Sequence, residues 1–251
     1  MKKKIVSVIT IIALVLLSVP IVLVGCGTRE QELEIRVGHR HRADVIMVTG
    51  GRPDSNGVLI IPAYINGLPV VAIGARAFSG NTSLRRVVIP YTVEVIEGMA
   101  FYNCNRLEDV TFEERSRLRT IEVTGFGGTF EGTPRLRSIV LPEGLEYIGA
   151  SAFFRSGLEN ANIPSTVTQI GTGAFSNGVL PMGGSTHAGG TIRIKSITIP
   201  YSVIIMGGGV FAFWTANQTI YIEGRYFAPD TWAEGWSNGI FESEAQVIFL
   251  G

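Results

Sequence analysis

The sequence predicts a β-rich α/β solenoid, in which repeats of about 22–23 residues stack into a parallel sheet wound as a right-handed superhelix. Three observations support this fold: a strand motif that recurs along the chain, two spacings that recur with it, and a composition suited to packed turns. Of the 251 residues, 46% are hydrophobic, 31 are glycine and only 17% are charged, which excludes intrinsic disorder and a coiled coil.

The charge and the rare residue types favour binding over catalysis. Lysine plus arginine and aspartate plus glutamate number 21 each, and removal of residues 1–25 leaves a net charge of −3. A chain so near neutrality lacks the basic patch that nucleic acid requires. Two cysteines and three histidines offer little for a disulfide framework, a metal cluster or a catalytic triad. We therefore expect no nucleic acid, no metal and no small-molecule cofactor.

Residues 1–25 have the layout of a secretory signal, because Lys2, Lys3 and Lys4 precede an uncharged, mostly apolar run. The run ends in Leu-Val-Gly followed by Cys26, which resembles the bacterial lipoprotein signal; the resemblance implies cleavage before Cys26 and acylation of its thiol. The alternative is an uncleaved anchor, since about 20 apolar residues can span a bilayer. Both interpretations place the rest of the chain on the outer side of the membrane, because the three lysines stay on the cytoplasmic side.

Residues 26–44 are polar, lack a sustained apolar period and are interpreted as a tether. The pair His39 and His41 has no further ligand beside it in a known metal-binding spacing, so no metal site is predicted there.

The strand motif Leu-x-x-Val-x-Ile-Pro begins the repeats of a domain that we place at residues 45–251. Close copies occupy 84–90, 136–142, 158–164 and 194–200. Seven residues after the last apolar strand position comes Ile96, Ile148, Ile170 or Met206, and five residues further comes Phe101, Phe153, Phe175 or Phe211. Such fixed offsets indicate a solenoid, in which stacked neighbours bury a continuous core that one repeat alone cannot bury.

Two further copies and one insertion depart from the pattern. The copy at 59–78 has a longer connection, and the copy at 107–130 replaces Ile with Phe112, lacks the proline and has a glycine-rich stretch at 125–129. A loop insertion at 177–195 lengthens the step between successive repeat phenylalanines to 36 residues.

Both ends of the repeat array are interpreted as caps. Residues 45–62 are predicted to form a hairpin that covers the open N-terminal edge of the sheet. Residues 223–251 are interpreted as the C-terminal cap, because Trp232, Trp236 and a closing strand at 245–250 follow Trp214. The alternative role for the three tryptophans is the stacking of sugar rings.

The repeat resembles the BspA-like bacterial branch of the leucine-rich repeat family, which reads Leu-x-x-Val-x-Ile-Pro and then Val-x-x-Ile-Gly-x-x-Ala-Phe. The likeness covers about residues 45–251. It implies a parallel-sheet solenoid on a bacterial surface, with roles in adhesion and protein binding.

No motif of the chain carries a specific catalytic signature. Ser185 and His187 lie in the glycine-rich insertion, but the nucleophile-elbow pattern and an orienting carboxylate are missing. The stretch at 125–129 lacks the Gly-Lys-Ser/Thr of a phosphate loop, and scattered carboxylates select no glycosidase pair. Cys104 follows a repeat phenylalanine and is interpreted as a buried structural residue.

The outward residues of the strand motifs form the best candidate binding surface, which we call the outer column. It consists of Val88, Thr111, Val140, Asn162, Thr198 and Tyr221. The competing interpretation is that such residues merely have good β propensity. Charges beside the strands alternate in sign from repeat to repeat, through Arg85 and Arg86, Glu108 and Asp109, Arg137, Glu159 and Lys195, so neighbouring repeats should attract each other.

The sequence thus predicts an exported protein, lipid-anchored at the bacterial cell envelope or outer surface, that performs no catalysis. We expect it to bind a host matrix protein or another cell-surface protein through its sheet face or its loops. The alternatives are a glycan-binding module or glycan-acting enzyme, using the 177–195 loop or the tryptophans, and a structural envelope component.

Overall fold

The computed structural model describes residues 20–22, 31–40, 43–122, 127–177, 192–237 and 245–251. Eighteen strands lie in these ranges. They are β1 (Pro20–Val22), β2 (Glu32–Arg40), β3 (Ala43–Arg52), β4 (Val58–Ile60), β5 (Tyr64–Ile65), β6 (Leu68–Ile73), β7 (Arg86–Ile89), β8 (Val95–Ile96), β9 (Asp109–Phe112), β10 (Thr120–Ile121), β11 (Ser138–Ile139), β12 (Tyr147–Ile148), β13 (Asn160–Ala161), β14 (Gln169–Ile170), β15 (Ser196–Ile199), β16 (Ile205–Met206), β17 (Thr219–Glu223) and β18 (Gln246–Leu250).

Each repeat contributes two strands, and the two sets form separate rows of a parallel-sheet solenoid. The second-strand row is continuous, in the order β3-β6-β8-β10-β12-β14-β16, and all these neighbours pair in parallel. The first-strand row is divided into three short sheets, β4-β7-β9, β11-β13 and β15-β17-β18. The expected parallel sheet is therefore confirmed in the second strands, whereas the pairing of the first strands is interrupted twice.

The described residues contain no helix and do not confirm the expected α/β character, and this part of the chain includes no helix that could cross a membrane. The turn that follows β6 shows why no helix forms there. Arg76, Phe78 and Gly80 donate their backbone N–H groups to the carbonyls of Gly98, Ala100 and Tyr102 in the next turn, at 3.2, 2.8 and 2.7 Å. Alternate N–H groups thus bond between repeats, which leaves too few for the ladder within an α-helix. The right-handed sense of the superhelix stays a prediction.

The repeat phenylalanines stack into a single row through the core, which we call the phenylalanine spine. Its members are Phe78, Phe101, Phe130, Phe153, Phe175 and Phe211, all at most 2% exposed. Neighbouring ring centroids lie 5.2 to 6.0 Å apart, with nearly parallel planes. The irregular third copy still supplies Phe130, so its extra residues leave the spine unbroken.

The N-terminal edge is covered differently from the expectation. Within the predicted tether of 26–44, Glu32–Arg40 forms β2 and pairs antiparallel with β3. Leu33 and Ile35 are buried on the inward side of β2, because apolar residues alternate there with charged ones. The predicted hairpin of 45–62 is wrong, since its two halves lie in β3 and β4, which belong to different sheets.

The C-terminal end is packed by tryptophans. Trp214 and Trp232 are 1% and 5% exposed, and their Nε1 atoms donate to the backbone carbonyls of Phe175 and Val203. Trp214 and Trp236 contact the ring of Phe211 edge-on, with centroids 4.9 and 6.4 Å away. Because Trp214 and Trp232 are buried, their rings do not offer open faces to a sugar.

Some predicted features lie outside the described residues. These are Cys26, most of the signal segment of 1–25 and most of the insertion of 177–195. The end of that insertion belongs to the solenoid core, since Ile192 and Ile194 are 2% and 1% exposed.

Candidate binding surface on the first strands

The outer column lies on the outward side of the first-strand row. Val88 pairs in register with Thr111, and Thr198 pairs with Tyr221. Val140 and Asn162 each come one residue after the last registered pair of β11 and β13, Ile139 with Ala161. Alternation along the strands turns these residues outward, because their neighbours Val87, Ile139 and Ile197 point into the core.

Two residues extend the outer column beyond the predicted set. Ile60 pairs with Val88 on one side, and Ile248 pairs with Tyr221 on the other. Both are exposed, to 52% and 38%, and Val140 reaches 72%. The strand motif at 59–61 could have identified Ile60, since Leu59 and Ile61 occupy the inward positions on either side of it.

Asn162 holds two neighbouring repeats together. Its Oδ1 accepts a hydrogen bond from the backbone N–H of Leu141 at 2.8 Å, and its Nδ2 donates to the carbonyl of Leu141 at 3.1 Å. The side-chain amide thus replaces a ladder pair between β11 and β13 at the position where their backbone pairing ends. Asn162 is therefore a structural residue as well as a surface residue.

The alternating charges form ion pairs between repeats. Arg86 Nε lies 3.0 Å from Asp109, and Glu108 contacts both Arg85, at 3.2 Å, and Arg135, at 3.4 Å. Hydrogen bonding from Arg85 holds the pKa of Glu108 below its usual value. Glu159 pairs with Arg137 on one side and with Arg193 on the other. The sequence had suggested Lys195 as the second partner. These exposed pairs fix side-chain positions at the N-terminal ends of the first strands.

Strand pairing in the first-strand row stops between β9 and β11, although the two strands remain in contact. Elsewhere the ladder is carried by bonds such as Glu108 N–H to Arg85 O at 2.8 Å and Glu159 N–H to Arg137 O at 2.7 Å. In the described structure no strand pairing joins β9 to β11. A groove of about 760 Å³ on the outward side is lined by both strands and by the turns that follow them.

The groove originates in the irregular third repeat. Ile121 follows Phe112 by nine residues, whereas Ile96 follows Ile89 by seven. The second-strand row and the spine are continuous through this repeat, so its extra residues affect only the first-strand row. They form a longer turn at residues 113–116, which is one wall of the groove.

The groove is lined by carboxylates, but not by those with the properties of a general acid. A glycosidase acid needs a raised pKa. Among the described residues, two carboxyl groups have a raised pKa, Glu122 and Glu131, through burial in both cases, and neither is among the groove residues. In the groove itself, the pKa of Glu108 is lowered and Asp109 is paired with Arg86.

The other described residues considered for chemistry offer no reactive site. Burial raises the pKa of the Cys104 thiol to about 12, and its Sγ donates to the carbonyl of Phe78 at 3.0 Å. Cys104 is thus a neutral structural residue. Within the described ranges, no three histidine, cysteine or acidic side chains converge as metal ligands. Ser185 and His187 lie outside those ranges.

Comparison with known proteins identifies the repeat. The family model of the BspA type leucine-rich repeat region matches residues 65–180 in six copies, which confirms the resemblance noted in the sequence. The crystal structure of the leucine-rich repeat protein of T. pallidum is similar, with a TM-score of 0.58 and 26% identity over 80% of this chain and 88% of that one.

A second solved structure shows the same fold. The pneumococcal vaccine antigen PcpA aligns with a TM-score of 0.61 and 21% identity, over 79% of this chain. This chain spans half the length of that antigen. No curated protein matches the chain significantly.

Proposed function

We infer that this chain, whose residues 65–180 are BspA type leucine-rich repeats, is an exported surface protein that binds another protein through the outer column. The observation that carries this inference is the pair of registered segments of the outer column, Ile60–Val88–Thr111 and Thr198–Tyr221–Ile248, whose uncharged side chains are exposed or half-buried. Such a row is held by the spine and loses little conformational entropy on binding. Its exposed apolar members, Ile60 and Val140, supply contact area.

The proposed partner is a host matrix protein or another cell-surface protein. A fragment of residues 27–251, crosslinked on intact cells and on host matrix proteins, would recover it. We then expect Ile60→Lys combined with Thr198→Lys to abolish binding, because each lysine would bring an unpaired charge into the interface. Both side chains are exposed, so the fold should persist.

A matched pair of lysines on the turns of the opposite side provides the control. Ser79 and Asn105 are exposed there, and Ser79→Lys with Asn105→Lys should leave binding intact. Loss of binding in the turn variant, with full binding in the column variant, would refute the proposed role of the outer column.

We further propose that Cys26 anchors the protein to the membrane through an acylated thiol after cleavage of residues 1–25. The order of three lysines, an apolar run and Leu-Val-Gly-Cys supports this. Cys26→Ala should abolish incorporation of a labelled fatty acid and leave the precursor uncleaved. A labelled variant of reduced size would contradict the proposal.

A further inference from the structure

Two exposed tyrosines lie beyond the C-terminal ends of first strands in the last repeats. Tyr201 follows β15 and Tyr226 follows β17, and their side chains are 64% and 81% exposed. Phe227, next to Tyr226, is 74% exposed. A group of aromatic side chains that the fold leaves in solvent marks a place where a ligand or a partner binds.

Each tyrosine ring rests on a glycine of the neighbouring strand. The register of β15, β17 and β18 places Tyr201, Gly224 and Gly251 at equivalent positions, two residues beyond a registered pair. A side chain at Gly224 would begin 3.1 Å from Cδ2 of Tyr201, and one at Gly251 would overlap Cδ1, Cε1 and Cζ of Tyr226. Both rings therefore lie against backbone at the ends of adjacent strands and remain largely exposed.

Arg225 holds the ring of Tyr201 in place. Its guanidinium carbon lies 4.6 Å from the centroid of the Tyr201 ring and 5.6 Å from that of Trp232, so the cation contacts two aromatic rings. Its Nη2 also donates to the backbone carbonyl of Tyr201. Because Tyr201 is fixed before any ligand arrives, little conformational entropy is lost on binding.

The charges around the tyrosines indicate the chemistry of the ligand. Residues 201–251 contain one basic residue, Arg225, and five acidic ones, so this surface repels phosphate and carboxylate groups. Glu223 is exposed, precedes Gly224 and pairs in register with Leu250, which places a hydrogen-bond acceptor beside both rings. Aromatic rings with an adjacent acceptor are complementary to a neutral ligand that has C–H faces and hydroxyl donors.

We propose that Tyr201 and Tyr226 form a platform that binds a chain of neutral pyranose sugars. The sugars stack their C–H faces on the two rings, and a sugar hydroxyl donates to the carboxylate of Glu223. The site for sugar stacking is thus moved from the buried tryptophans to the exposed tyrosines. It acts alongside the outer column and does not depend on it.

The probe for this platform is cellohexaose, a neutral glucose chain with flat C–H faces. It is titrated by calorimetry into the full chain, purified in a detergent without sugar groups. We expect binding, and about fivefold weaker binding of a galacturonic acid hexamer, because its carboxylates meet the acidic surface; added salt should reduce the difference. Absence of cellohexaose binding, or binding of the acidic hexamer that is as tight or tighter, would overturn the proposal.

Two substitutions of Tyr226 separate stacking from general apolar contact. Tyr226→Leu should weaken cellohexaose binding about tenfold, in the range found when an aromatic stacking partner is removed, whereas Tyr226→Trp should bind at least as tightly as the unchanged chain. Tyr64→Ala changes a tyrosine of the first repeat that is 51% exposed, so it is the matched control and should have no effect. Equal binding by the two Tyr226 variants, or a loss of the same size in the control, would refute the platform.

A protein is the alternative occupant of this surface. If cellohexaose does not bind, and Tyr201→Ala with Tyr226→Ala prevents capture of the partner recovered by crosslinking, the tyrosines belong to a protein interface and the sugar platform is wrong. If cellohexaose binds and the double variant still captures the partner, the platform is confirmed as a site separate from the protein interface.

Discussion

The ring of Phe153 lies between those of Phe130 and Phe175, with centroids 5.5 and 5.2 Å away, and is fully buried. Phe153→Ala would leave a cavity in the middle of the spine that two flanking repeats cannot fill. We expect a loss of about 3 to 5 kcal/mol in the free energy of unfolding, measured by urea denaturation. The exposed Glu223→Ala serves as control, and an equal effect of the two changes would show that the spine does not stabilise the fold.

A second prediction for a single residue concerns Asn162. Asn162→Ala removes the partner of the backbone N–H of Leu141, a residue that is 1% exposed. An unsatisfied buried donor costs about 1 to 3 kcal/mol, so the variant should be clearly less stable than Thr198→Ala, whose side chain is exposed. Thermal or urea denaturation would compare them, and equal stability would show that the two hydrogen bonds contribute nothing.

At the scale of elements, the base of the insertion is closed by one amide side chain. Asn177 Oδ1 accepts from the backbone N–H of Ile192 at 2.6 Å, and its Nδ2 donates to the carbonyl of Ile192 at 3.3 Å. Replacement of residues 178–191 by a short Gly-Ser bridge should therefore leave the solenoid folded, provided that Asn177 and the buried Ile192 are retained.

Cooperative unfolding of the shortened chain, followed by circular dichroism, would test this. A longer deletion that also removes Ile192 is the contrasting variant, and we expect it to destabilise the core. Loss of cooperativity in the shorter deletion would show that the insertion has a structural role. Loss of partner binding with the fold intact would instead move the binding site to the insertion.

The interrupted first-strand row shows how one repeat affects its neighbours. The extra residues after Phe112 are accommodated by loss of the pairing between β9 and β11, while the second-strand row keeps its register from Ile96 to Ile121 and Ile148. The bonds of the turns and the phenylalanine spine continue through this repeat, so the irregularity affects only the pairing of the first strands.

For the whole molecule, β2 covers the N-terminal end of the hydrophobic core and the edge of β3. A chain of residues 43–251 would lose Leu33 and Ile35, which cover the core beside Val48, and would expose the edge of β3. We expect it to aggregate and to melt at a lower temperature than residues 27–251, as judged by light scattering and calorimetry.

Leu33→Asp with Ile35→Asp in the longer chain provides the matched variant, because it keeps the chain length but removes the apolar contacts. It should behave like the truncated chain. If both variants are as stable and monomeric as residues 27–251, residues 26–44 act only as a tether.

The features that recur within each repeat could be predicted from the sequence alone. The phenylalanine positions, the inward isoleucines and the outward positions from Val88 to Tyr221 follow from a periodic pattern, because each depends on local alternation and a fixed offset. The burial of Phe130 was also predictable, since even the irregular copy keeps its final phenylalanine.

Which backbone groups remain unpaired between repeats could be learned only from the fold. The pairing of β2 with β3, the missing pairing of β9 with β11 and the bonds of Asn162 to Leu141 all concern residues that are distant in the chain. Arg193, rather than Lys195, faces Glu159 for the same reason. Hydrogen bonds and ion pairs between repeats depend on how closely neighbouring backbones approach, and a pattern within one repeat carries no record of that distance.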